Sequence, residues 1–105
     1  MNKPKYDVFI SSKSEDYPIA REVYSFLKGK GYNVFFAEKS IPFGADSVFK
    51  KTIDSALDSA KNMILISTNP ASLNEGWVYY EWNTFSTEIL NRNKPNSNIL
   101  TIWFM

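Results

Sequence analysis

A chain of 105 residues with a formal net charge of +1 has material for one domain with a modest core, and its charge gives no general attraction to nucleic acid. Histidine and cysteine are both absent, which excludes thiol nucleophiles, Ser–His–Asp triads and zinc sites built from Cys or His and leaves acid or base work to Asp, Glu, Lys or Tyr. No apolar run reaches the ~20 residues of a membrane helix, and the opening MNKPKYDVF lacks the apolar stretch of a signal peptide, so a cytoplasmic chain with no membrane or direct nucleic-acid partner is expected.

The run YDVFI, Tyr6 to Ile10, is short, apolar and rich in β-branched and aromatic residues, as a buried strand is. SSKSED follows, and then Ile19, Val23, Phe26 and Leu27 recur at helical spacing to form one apolar face. Ser12 with Glu15 has capping-box spacing, with Asp16 as a rival cap. KGKG, residues 28 to 31, stops this helix, with Gly29 or Gly31 as the left-handed residue. A second strand is expected over Asn33–Phe36. Ala37–Ser47 reads as a loop, broken by Pro42 and Gly44. A second helix begins near Asp46, with Val48, Phe49, Ile53, Ala56 and Leu57 on its apolar face.

MILIS, Met63 to Ser67, is a third buried strand. After a turn, Ser72 and Glu75 offer another capping box for a long third helix that runs to about Asn93. Ile99 to Phe104 is a fourth strand. The order β-α-β-α-β-α-β with near-continuous apolar strands predicts an α/β fold: a parallel sheet with helices on both faces. Residues 1–105 make a single domain. Because the sequence closes on an apolar strand, we expect it to be C-terminally truncated and part of a longer protein.

In such a sheet, ligands bind beyond the carboxyl ends of the strands. Ser11–Ser14, Ala37–Ser47, Ser67–Ser72 and the start of the third helix converge there. Ser11, Ser12 and Ser14 are either turn and cap residues or, with Lys13, a phosphate cradle. On the third helix, Val78, Trp82, Phe85 and Ile89 form the core stripe, and Trp77, Glu81, Thr84 and Glu88 adjoin it. Helical geometry alone therefore puts Glu81 at the flank of the core, half exposed beside Trp77. Phe43 either anchors its loop or closes over a planar ligand. A phospho-receiver domain is excluded, since the third strand ends in Ser67–Thr68 rather than Asp.

YDVFIS, the Pro–Phe–Gly loop, the ILIS strand and WVYYE, a Trp-x-x-x-Glu motif, together resemble the TIR domain over about residues 5 to 104. The sequence looks closer to bacterial TIR domains, of anti-phage defence or effector kind. The resemblance implies a flavodoxin-like sheet of order 2-1-3-4, with the family's fifth strand and last helix missing here. It also implies one of two functions. Some members are adaptors that act only through TIR–TIR interaction. Others cleave NAD between nicotinamide and ribose, give ADP-ribose or a cyclic form, and are activated by self-assembly.

In the enzymes a glutamate on the third helix is essential, and Glu81 matches it. By the same resemblance Ser11, Ser12, Lys13, Glu38, Phe43 and Trp77 are NAD-binding. Ile41, Pro42, Phe43 and Gly44 form an assembly loop. Two departures stand out: Gly76 replaces a serine often found before the tryptophan, and Ala37 replaces an acidic residue, with Glu38 next. The implied partners are NAD, other TIR domains and a fused sensor domain. NAD enters as substrate, and no cofactor or metal is expected. The chemistry suits a chain without His or Cys. Nicotinamide leaves a pyridinium as a neutral molecule and needs no proton, so one carboxylate facing an oxocarbenium-like ribose suffices.

Overall fold

The computed structural model describes residues 5–40, 46–69, 76–91, 94 and 97–103. In chain order they form β1 (Tyr6–Ser11), a 3-10 turn (Ser14–Asp16), α1 (Tyr17–Gly29), β2 (Val34–Phe36) and a short α2 (Ala37–Ser40). After these come α3 (Asp46–Ser59), β3 (Ala60–Ser67), α4 (Gly76–Leu90) and β4 (Ile99–Trp103). All pairings are parallel and the strand order is β2-β1-β3-β4, the flavodoxin-like arrangement the resemblance implied.

Two faces follow from the period-2 alternation of the strands. Val8 and Ile10 of β1, Val34 and Phe36 of β2 and Ile66 of β3 pack with Ala20 of α1. The intervening residues Phe9, Phe35, Met63 and Leu65 pack on the other side with Ile53 and Leu57 of α3 and Val78 and Phe85 of α4. Phe9 and Phe35 stack with ring centroids 4.9 Å apart, which locks β1 to β2 beneath α3. Helix α1 thus covers one face, and α3 with α4 the other.

Several local expectations are corrected. The start of the segment read as a loop from Ala37 is helical over Ala37–Ser40. The Ser12–Glu15 capping box does not form: a 3-10 turn occupies Ser14–Asp16, and Asp16, in the N-cap position of α1, makes no side-chain cap bond. Its carboxylate is taken by Thr68 instead. Strand β3 starts three residues earlier than its apolar run, at Ala60, where Tyr6 of β1 pairs with it. The Ser72–Glu75 box and the loop residues Ile41, Pro42, Phe43 and Gly44 lie outside the described residues.

At the end of α1, Gly31 is the left-handed residue, with φ 92°. The Tyr32 N–H donates to Leu27 O at 3.1 Å and the Gly31 N–H to Lys28 O at 3.0 Å. Those two bonds define a Schellman stop. Helix α3 is closed differently. The Lys94 ammonium reaches back from the α4–β4 connection, donating to Asp58 O at 2.8 Å and Ala60 O at 2.6 Å. It lies over the Phe85 ring at 5.0 Å from the centroid. Burial lowers the Lys94 pKa, against the pull of the Asp58 and Glu88 charges. The Tyr80 hydroxyl of α4 donates to the Asp54 carboxylate of α3. No helix among the described residues is long and apolar enough to cross a membrane.

Phe85 is fully buried between α4 and the sheet. Phe85→Ala is expected to cost about 3–5 kcal/mol, transfer and cavity terms together. Urea unfolding of the two proteins measures it; a loss under about 1 kcal/mol contradicts the packing described.

Candidate functional site

Strands β1 and β3 are neighbours, yet the chain leaving β1 turns to one face and the chain leaving β3 to the other. Their carboxyl ends part at this point, which is where an open parallel sheet offers a crevice. Ser11 is the last residue of β1. It lies two positions after Phe9 and so faces α4 rather than α1. Glu81 sits on α4 three residues after Val78 and four before Phe85. These three form the line of α4 side chains buried against the sheet: Val78 is 3 %, Glu81 6 % and Phe85 0 % exposed. The half-exposed Glu81 expected from the helical pattern is therefore corrected. The buried line runs through Glu81, and Trp82 lies on its flank, partly buried.

The Ser11 hydroxyl donates to Glu81 Oε1 at 2.7 Å, and Ser11 itself is 1 % exposed. Burial pushes the Glu81 carboxyl up from the usual carboxylate range to about 7, and the Ser11 hydrogen bond opposes part of that rise. A carboxylate that changes charge near neutrality, at the switch point of a parallel sheet, is a candidate functional group on physical grounds alone.

The next residues build the rim. The Ser12 hydroxyl oxygen is buried and finds no partner among the described residues. Lys13 offers its carbonyl to the Asp16 N–H at 2.9 Å, closing the 3-10 turn. Asp16 is 2 % exposed. Its carboxylate accepts the Thr68 hydroxyl at 2.5 Å and the Thr68 N–H at 3.4 Å. Beside it, Ser67 at the end of β3 exchanges hydrogen bonds with Asn69, donating at 2.6 Å and accepting at 3.1 Å.

Ser11 and Glu81 are thus in direct contact, and Ser12 and Lys13 follow Ser11 in the chain at the carboxyl end of β1. Trp77 and Glu38 are described by their backbone positions only. Trp77 is in the first turn of α4, one turn before Glu81. Glu38 is in α2, beyond β2, on the same sheet edge but across β1 from the crevice. Phe43 lies outside the described residues. The Asp16–Thr68 bridge was not foreseen. Its signal was the second acceptor in Ser-x-x-Glu-Asp, one more than a single cap needs. Among the described residues no cluster of three or more acidic side chains could hold a metal ion.

Comparison with known proteins agrees with this architecture. The TIR domain family model matches residues 8–104. The 2' cyclic ADP-D-ribose synthase AbTIR of Acinetobacter baumannii is 34% identical over 96% of this chain and 36% of its own length. A Methanobrevibacter olleyae protein named "Probable 2' cyclic ADP-D-ribose synthase TcpO" is 27% identical over 97% of this chain and 30% of its own. The chain therefore spans about a third of these relatives. Among solved structures, a metazoan TIR-STING receptor from C. gigas superposes with a TM-score of 0.74 at 24% identity, covering 99% of this chain and 33% of the receptor. The TIR domains of the activated Roq1 resistosome superpose with a TM-score of 0.65 at 19% identity, over 94% of this chain and 57% of theirs. At those identities the two structures speak for the fold. With its strand order and a family match over nearly its whole length, the chain belongs to the TIR domain family.

Proposed function

We propose that this domain cleaves NAD at the bond between nicotinamide and ribose. The observation that carries the reading is the buried Glu81 carboxylate, bonded to Ser11 at the β1–β3 switch point. The names of the two curated relatives, cyclic ADP-ribose synthases, support it.

The step needs little from the protein. The C1′–N bond breaks, and its electron pair passes to the pyridinium nitrogen. Nicotinamide leaves neutral, and positive charge spreads over C1′ and the ribose ring oxygen. An ionised Glu81 in a site shielded from water stabilises that cation far better than the same charge in solvent. Ser11 fixes the carboxylate by donating to one oxygen. Water then adds at C1′ and gives ADP-ribose, or a hydroxyl of the molecule itself adds and gives a cyclic product. In either case Glu81 can take the proton released. Ser12 and Lys13 face the pyrophosphate in this reading. The family resemblance assigns Trp77, Phe43 and Glu38 to NAD binding as well, and the two aromatic residues are of the type that stacks on flat rings. Copies of the domain, brought together through Ile41–Gly44 by a fused sensor domain, switch the activity on.

The first test is nicotinamide release from NAD by the natural full-length protein, or by this domain clustered on beads, beside Glu81→Gln. A loss of about 100-fold or more in the variant is expected; full turnover by folded Glu81→Gln removes Glu81 from the mechanism. Folded, assembled wild type that releases no nicotinamide points to an adaptor instead.

The raised Glu81 pKa sets the pH dependence. The reacting form is ionised, so kcat/KM should rise through about pH 7 and level off above it. A profile flat from pH 5 to 9 contradicts the assignment.

The same group makes a stability prediction with a definite sign. Between pH 4.5 and about 7 the folded protein keeps a proton on Glu81 that the unfolded chain releases. Wild-type stability therefore falls across that window. Glu81→Gln, which cannot ionise, should match wild type near pH 4 and exceed it by about 3 kcal/mol above pH 7.5. Urea titrations at the two pH values measure the difference, and a gap independent of pH contradicts it.

A further inference from the structure

We infer that Asp16 and Thr68 form a positioning pair that holds the Ser12–Lys13 turn in its substrate-binding shape. The inference rests on the NAD reading above for its kinetic consequence, and on geometry for the rest.

Asp16 is a carboxylate that is 2 % exposed. A group of that kind is costly to bury unless it is well bonded. Its sequence position suits capping α1, yet it makes no cap bond. It reaches across the sheet edge to Thr68, just past the end of β3, and accepts both the hydroxyl at 2.5 Å and the backbone N–H at 3.4 Å. Two donors from one residue fix the carboxylate in orientation as well as position.

The turn after β1 is consequently pinned at both ends. At its start the Ser11 hydroxyl is tied to Glu81 on α4. At its end Asp16 is tied to Thr68 beyond β3, and its own N–H closes the turn on Lys13 O at 2.9 Å. Ser12 and Lys13 lie between the pins. The tie spans the gap where β1 and β3 separate, so it also sets the width of the crevice on the α1 side. Helix α1 would start equally well with its cap satisfied locally. What the long-range bond adds is a fixed relation between the β1 turn and the β3 end, the two walls a dinucleotide would contact.

Asp16 and Thr68 touch neither Glu81 nor Ser11 among the hydrogen bonds of the site. Loosening the tie should therefore affect substrate binding more than the chemical step. Thr68→Val removes the hydroxyl donor at nearly constant volume, and Thr68→Ser keeps it. In the natural full-length protein, Thr68→Val is expected to raise KM for NAD about 10-fold, with kcat within about 3-fold of wild type. The kcat/KM limb near pH 7 should stay in place, and Thr68→Ser should restore KM. A role in folding alone would lower the active fraction, and with it kcat, but leave KM where it was; that result overturns the proposal.

Amide hydrogen exchange supplies a readout that needs no turnover. The Asp16 N–H, bonded to Lys13 O, should exchange at least about 10-fold faster in Thr68→Val and at the wild-type rate in Thr68→Ser. Asp16→Asn keeps the shape while weakening the bond, and should show an intermediate rate if Thr68→Val does not fold. Unchanged exchange in both variants overturns the pin. If wild type releases no nicotinamide yet exchange accelerates as expected, the NAD reading fails and the pin stands.

Discussion

A carboxylate held in the buried face of a helix by one serine hydroxyl is the constraint on which this site depends. Glu81 occupies a position on α4 that packing would assign to an aliphatic residue, in line with Val78 and Phe85. Its charge is disfavoured there because burial outweighs the help of Ser11, and the carboxyl rises to about 7. The bond to Ser11 fixes where the charge appears when it does. It requires β1 and α4 to keep their spacing and the Ser11 side chain to point toward α4. Both conditions come from the sheet. Phe9, two residues earlier on the same side of β1, is locked by its stack on Phe35, and Phe85, one turn after Glu81, is locked in the same core.

Sheet order converts that contact into a site. With strands in the order β2-β1-β3-β4, the connection after β1 must run outward to β2 over one face, and the connection after β3 outward to β4 over the other. The two chains separate at the ends of the central strands, the place where an open parallel sheet binds its ligands. The same polypeptide ends bring Ser12, Lys13, Thr68 and the first turns of α4 to that edge. The polar ties that hold the rest of the domain lie elsewhere. Lys94 closes α3 and sits on Phe85, and Tyr80 bonds Asp54 between α3 and α4. They tie α4 to α3 and to the junction of α3 with β3, so Glu81 is positioned by a helix anchored at several points.

Much of this was legible in the residues. The strands announce themselves because YDVFI and MILIS are buried on both faces and need no polar alternation. Their alternation with helices leaves few topologies. The KGKG stop was legible because only glycine adopts the φ of Gly31 without strain. The burial of Glu81 was not legible. Val78–Trp82–Phe85 and Val78–Glu81–Phe85 are equally regular at helical spacing, and a hydrophobicity pattern prefers the stripe with tryptophan. The choice between them is made by Ser11, seventy residues away in sequence, which supplies a donor on the one line and not the other. Asp16 misled for a similar reason. Local spacing offered it a cap, and a hydroxyl from the far side of the crevice competed successfully for the same oxygens.

The cost of Glu81 bears on why it is there. An ionised carboxyl shifted from about 4.5 to about 7 withholds about 3 kcal/mol from the folded state above neutrality. A domain of this size has a total stability of only about 5–15 kcal/mol. For a helix that served only as scaffold or as a docking surface, leucine or methionine on that line would pack better and cost nothing in charge. An adaptor surface needs exposed groups, and Glu81 is among the least exposed residues of α4. A buried carboxyl group that weakens the fold, beside the carboxyl end of β1, is accounted for by the proposed chemistry on a small molecule. A substrate that carries its own positive charge into the crevice would also relieve the strain on the carboxylate. In the proposed reaction binding and ionisation then reinforce each other, because the positive charge of the substrate offsets the burial that otherwise keeps Glu81 neutral.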